Sequence, residues 1–143
     1  MRDYRRLKAW ELADDLTVAV YELTKGFPNR EMYGLTSQVR RSASSVPANI
    51  AEGSGRNSDR DFLHFLYIAR GSLTETQYFL HLATRLRYLT NAEAATIEAQ
   101  ARESFGCLQG LITKVEADVG RVGSFVPKLT GILIPGILSS VLT

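Results

Sequence analysis

Two histidines and a single cysteine are the side chains of widest chemical range in this sequence. A di-metal centre in a helical bundle needs Glu-x-x-His pairs on two helices. Neither His64 nor His81 has a glutamate three residues before it, and both are expected on partly exposed helix faces. A phosphate-cradling loop needs glycines, a lysine and a preceding strand. "EGSGR", residues 52–56, lacks the lysine and the strand. No G-x-S-x-G elbow is present to expose a nucleophilic serine. Cys107 lies in an apolar helical run and is expected to pack as a small hydrophobe. The sequence therefore points away from an enzyme, and no metal or cofactor is expected.

The chemistry that remains belongs to arginine. Arg2, Arg5, Arg6 and Lys8 form one group, Arg40 and Arg41 a second, Arg56 and Arg60 a third, Arg85 and Arg87 a fourth. The planar guanidinium fork fits phosphate, and it fits carboxylates on a neighbouring subunit equally well. Solvated surface is the competing account of such groups. Seventeen Lys and Arg against fifteen Asp and Glu leave a net charge of +2, too weak to imply a nucleic-acid partner by itself.

The elements that carry these residues are helices, and no strand pattern occurs. Apolar spacing predicts the first helix from about Leu7 to Lys25, ended by Gly26 and Pro28. The second is expected from about Glu31 to Glu52, with Leu35, Val39, Ala43, Val46 and Ile50 as its core stripe. The third is long, about Asp59 to Leu89, with Ser58 as N-cap. The fourth begins after a Thr90–Glu93 capping box and is expected to end near Gly120. Short loops between them predict an all-α, up-down-up-down antiparallel four-helix bundle over residues 1–119.

The stretch "SSVPANIAEG" complicates the second helix. Pro47 lacks an N–H and crowds the Ala43 carbonyl, so a kink is expected there. Ser44 and Ser45 are expected to satisfy the disturbed carbonyls. Gln38, Ser42, Ser45, Asn49 and Glu52 share a polar stripe beside the core stripe, with Arg40 and Ser44 on the far side. Such a band suits a hydrogen-bonded helix contact, within or between subunits. Gly71 costs about 1 kcal/mol inside the third helix. With Ala69 and Ser72 it is expected to admit the second helix near Ala48.

Residues 120–143 differ in character. They are apolar, nearly uncharged and punctuated by Gly and Pro, with no run long enough to span a bilayer. They pack on the bundle, cover a subunit interface or stay unordered; an apolar tail in water invites aggregation, which favours burial. No secretory signal opens the chain. One cysteine excludes an intrachain disulfide and suits a reducing compartment, so a cytoplasmic protein without membrane contact is expected.

"YGLTSQVRRSASSVPANIAEGSGR" and "FLHFLYIARGSLTET", with "LKAWELADDL" and the "FP" after the first helix, resemble the bacterial 23S ribosomal RNA intervening-sequence protein family. The resemblance covers about residues 4–115. It implies a small bundle and a homo-oligomer, a closed ring of five subunits. That family is similar to the accessory variability protein of diversity-generating retroelements, a basic pentameric barrel that binds nucleic acid and a reverse transcriptase. The matching motif positions are Arg41, Pro47, Asn49, Glu52, Gly53, Ala69, Gly71, Ser72 and Glu75, none of which the resemblance makes catalytic. Two functions remain open. One is a homo-oligomeric scaffold that binds RNA or DNA through Arg2, Arg5, Arg6, Lys8, Arg40, Arg41, Arg56 and Arg60. The other is a protein-interaction module without nucleic acid. Arg41 has a competing role, an intersubunit pair with Glu52 or Glu75.

Overall fold

Side-chain caps set where the helices begin. The computed structural model describes residues 2–124, and the tail after Ser124 lies outside them. A 3-10 turn, Tyr4–Arg6, leads into α1 (Lys8–Thr24). A second, Asn29–Glu31, precedes α2 (Leu35–Ser54). Two more helices follow, α3 (Asp59–Arg85) and α4 (Asn91–Ser124). No strand occurs among the described residues.

Ser58 caps α3 as expected, its hydroxyl accepting from the Asp61 N–H at 3.1 Å. Thr90 and Glu93 close a reciprocal box on α4: Thr90 N–H donates to Glu93 at 2.9 Å, and Glu93 N–H donates to the Thr90 hydroxyl at 3.1 Å.

Three ends fall elsewhere than the periodicity suggested. α2 starts at Leu35 and not near Glu31, because the Glu31 carboxylate accepts from the Leu35 N–H at 2.9 Å. Glu31 acts as the cap of a later helix. It is not that helix's first turn. α3 stops at Arg85, short of Leu89. Arg87 adopts a left-handed φ of 61°. The Tyr88 N–H then reaches back to the Ala83 carbonyl at 2.9 Å, and the Arg87 N–H to Thr84 at 3.0 Å. These are the two bonds of a Schellman cap, closed without the usual glycine. α4 continues past Gly120 to Ser124.

Within the described residues α1 packs on α2 and α4, and α3 packs on α2 and α4, with no diagonal packing. The partners run antiparallel: Thr17 meets Ala43, Ser42 meets Thr76, and Arg70 meets Gln109. This is the expected up-down-up-down bundle. Leu16, Val20, Val46, Ile50, Phe62, Leu66, Leu73, Leu80 and Ile112 are almost fully buried between the helices.

α2 is unbroken through Pro47. The Ala43 carbonyl, which loses its donor to the proline ring, is met from another helix. Thr17 Oγ1 of α1 lies 3.0 Å from it, and 2.8 Å from its own Ala13 carbonyl. Ser44 and Ser45 do not fill that role. Ser44 donates to the Arg41 carbonyl at 3.2 Å, and Ser45 faces Ser72.

One buried group is left over. Ser104 Oγ has no hydrogen-bond partner among the described residues, although the residue is 1% exposed. Ser104→Ala removes a desolvated hydroxyl and adds helix propensity. It is expected to raise unfolding free energy by about 1 kcal/mol in urea titration. A loss of stability would show that the hydroxyl is bonded.

Candidate functional site

The α2–α3 seam is built on hydroxyls where a bundle usually places aliphatics. Thr76, fully buried, donates to Ser42 at 2.9 Å, and Ser42 reaches the Val39 carbonyl at 3.1 Å. One turn along, Ser45 and Ser72 lie 2.9 Å apart. Asn49 Nδ2 donates to the Ser45 hydroxyl at 2.9 Å and to its carbonyl at 2.7 Å. Small hydroxyl side chains let the helices approach while satisfying one another. Sequence periodicity missed Thr76 because it lies at a core position, one turn after Leu73. That polar interruption was the available signal.

Above these hydroxyls opens a cleft of about 570 Å³ lined by Gln38, Arg41, Ser42, Ser45, Ser72 and Glu75. Arg41 and Glu75 are exposed on its two sides, and neither forms an ion pair among the described residues. Ala48 and Gly71 stand exposed on the same face. Gly71 does not admit α2, contrary to the expectation from sequence: a Cβ added there would meet nothing within 4 Å. The close approach occurs at Gly53, where a Cβ would lie 2.7 Å from Phe65 Cβ and 3.3 Å from the Phe62 carbonyl. Ala69 and Pro47 are buried and structural.

The arginines divide into two groups. The N-terminal arm crosses the α2–α3 turn, with the Arg2 N–H donating to the Ser54 carbonyl at 3.3 Å. This brings Arg2 and Arg5 to the end that carries Arg56 and Arg60. Arg2 pairs with Asp59 and lies 4.4 Å over the Phe62 ring. Arg5 stacks on Tyr4 at 5.1 Å. Arg56 pairs with Glu52 at 3.0 Å and stacks on Phe65 at 4.6 Å. Lys8 pairs with Glu11 at 3.4 Å. Arg6 and Arg60 are exposed and form no ion pair among the described residues.

Arg40 stands apart from this end. Its Nε donates to Thr24 Oγ1 at 2.8 Å, and its guanidinium lies 4.7 Å over Tyr21, fastening α2 to α1. Glu52 is held by Arg56, so within one chain it is not the partner of Arg41.

His64 and His81 are exposed on α3, and Cys107 packs partly buried against the core. Burial pushes its thiol pKa above the usual value, with Lys8 opposing and Glu103 adding to the shift. A raised pKa disfavours the nucleophilic thiolate. No group of three His, Cys, Asp or Glu suited to a metal occurs among the described residues. No helix among them is long and apolar enough to cross a membrane.

The same bundle has been seen before. A protein of unknown function from the S23 ribosomal protein family of Bacteroides thetaiotaomicron, solved at 1.70 Å, superposes with a TM-score of 0.69 at 28% identity. The match covers 73% of this chain and 95% of that one. No curated protein matches. The family model for the 23S rRNA-intervening sequence protein matches residues 5–110, a span that holds both the α2–α3 cleft and the turn bearing Arg56 and Arg60. On that match the chain belongs to the 23S rRNA-intervening sequence protein family.

Proposed function

We propose that this chain is a non-enzymatic scaffold that self-associates through its α2–α3 face and binds the phosphate backbone of RNA or DNA at its arginine-rich end. One observation carries the reading: the α2–α3 face exposes Ala48 and Gly71, with open space above Gly71, beside a cleft flanked by Arg41 and Glu75. Small residues allow a second backbone to come close. A charge of each sign, with no ion-pair partner among the described residues, gives a second copy something to orient against. A closed ring of five is the stoichiometry that the family resemblance implies. Five copies of +2 give about +10.

The test is light scattering coupled to size exclusion on nuclease-treated protein, with and without short duplex RNA. Phosphate contacts predict RNA binding that weakens steeply between about 50 and 200 mM salt. Arg6→Glu with Arg60→Glu removes two side chains that form no ion pair among the described residues. RNA affinity is expected to fall at least tenfold at fixed salt, with oligomer size unchanged. Unchanged affinity would sink the phosphate reading.

A second reading, a protein-interaction module without nucleic acid, is favoured by the engagement of Arg2, Arg40 and Arg56 inside the subunit. An oligomer indifferent to RNA at every salt concentration would decide for it.

A further inference from the structure

The turn from α1 to α2 and the turn from α3 to α4 meet at the end of the bundle away from Arg56 and Arg60. Tyr88 fastens them. Its ring lies 5.5 Å from the Phe27 ring, its hydroxyl donates to Glu31 at 3.3 Å, and the Arg30 guanidinium stands 5.9 Å over it. The joined turns leave large side chains in solvent: Tyr33 is 94% exposed, Met32 55% and Leu86 46%. Arg30, Arg85 and Arg87 are exposed as well and form no ion pair among the described residues. Residues 25–34 and 86–90 hold a single carboxylate, Glu31. It is half-buried and already accepts from the Leu35 N–H and the Tyr88 hydroxyl. In the flanking helices Glu22 pairs with Lys25, and Glu93 accepts from the Thr90 N–H.

A cleft of about 170 Å³ continues this surface on the α1–α2 side. Phe27, Pro28 and Met32 give it apolar walls, and Lys25 and Arg40 are among its polar residues. Phe27 both lines the cleft and packs on Tyr88, which joins the cleft to the arginines of the other turn. Apolar walls with a cationic border complement an apolar side chain flanked by carboxylates. Tyr, Met and Arg are also the residue types enriched where proteins meet. A nucleic-acid strand fits less well, because successive bases need successive rings to stack on. Tyr33 offers one free ring, Tyr88 is engaged by Phe27 and Arg30, and Met32 and Leu86 are not planar.

We propose that this end of the bundle docks an acidic segment of another protein. An apolar side chain of that segment sits in the cleft beside Met32, and its carboxylates meet Arg30, Arg85 and Arg87. The site stands whether or not phosphate binds at the opposite end.

The test is selection of random displayed peptides on the full, nuclease-treated chain. Recovered peptides are expected to be acidic with an aliphatic or aromatic anchor, and to bind as synthetic peptides in fluorescence polarisation. Two variants should each weaken that binding about tenfold. Met32→Asp with Tyr33→Ala removes the apolar contact and repels carboxylates. Arg85→Gln with Arg87→Gly removes two charges, and glycine suits the φ of 61° at position 87. All four side chains are exposed, so the helical circular dichroism should not change. Arg6→Glu with Arg60→Glu, at the other end, should bind the peptides as the parent does. Four results overturn the proposal. The first is recovery of no peptides, or of peptides without acidic bias. The second is affinity unchanged in both variants. The third is oligouridine binding that Tyr33→Ala weakens, which would assign the surface to single-stranded nucleic acid. The fourth is a lower mass of the Tyr33→Ala chain in light scattering, which would make it a contact between copies.

Discussion

Gly71→Leu is expected to convert the proposed assembly to monomers while leaving each subunit at least as stable as before. Nothing among the described residues lies within 4 Å of a Cβ at that position, so the new side chain starts into open space. Leucine replaces glycine in the middle of α3, and helix propensity alone favours the change by about 1 kcal/mol. In the proposed assembly the same side chain stands where a second backbone approaches. Interface packing tolerates extra volume poorly, because close-packed atoms have nowhere to move. Light scattering should therefore report the mass of one chain, and urea unfolding of the dilute subunit a midpoint equal to or above the parent's. A variant that keeps the parent's assembled mass would move the subunit interface off the α2–α3 face. It would leave the proposal of a phosphate site at the arginine-rich end untouched. A simultaneous loss of helical content would show that Gly71 is needed inside the subunit after all.

Gly53→Ala should do the reverse, damaging the subunit. A Cβ there sits 2.7 Å from Phe65 Cβ, 3.0 Å from Phe62 Cδ2 and 3.3 Å from the Phe62 carbonyl. Two of those three atoms belong to the backbone or to the first atom of a side chain, so relief requires α3 to shift against α2. Overpacking of this kind costs about 1–3 kcal/mol, which outweighs the roughly 1 kcal/mol gained by replacing glycine in a helix. A net loss of about 1–2 kcal/mol is expected for alanine, and more for Gly53→Val, read as a lower urea midpoint with the same slope. Phe62 and Phe65 also carry the stacked Arg2 and Arg56 guanidinium groups. The displaced turn should therefore weaken the proposed RNA binding as well as stability. An alanine variant as stable as the parent would mean that the α2–α3 turn relaxes freely.

The two glycines show how far the sequence reaches. Both interrupt helical runs, and the sequence alone assigned the close approach to Gly71. Helical phase points the other way. Gly53 follows Ile50 and Val46 on the core stripe, whereas Gly71 lies two residues from Ala69 and faces outward. The information was present in the 100° periodicity. Neighbouring small residues, Ala69 and Ser72, misled because smallness marks close packing without saying against what.

Helix identity, the four apolar stripes, the Ser58 cap and the Thr90–Glu93 box were determined by the sequence itself, because each depends on residues within one or two turns of one another. The bundle's order followed from short loops. Four things were decided only by tertiary structure. Thr17 of α1 meets the Ala43 carbonyl left free by Pro47. Arg87 closes α3 early through a left-handed φ that no glycine announces. Ser42, Ser45, Ser72 and Thr76 join into one hydroxyl seam. Of the arginines, some fasten the fold and others stay exposed, according to which carboxylates and rings the packing brings near. Each depends on residues brought together by packing or on a backbone state that packing stabilises. Local propensity carries no record of a partner from another helix, so these contacts exist only once the helices have met.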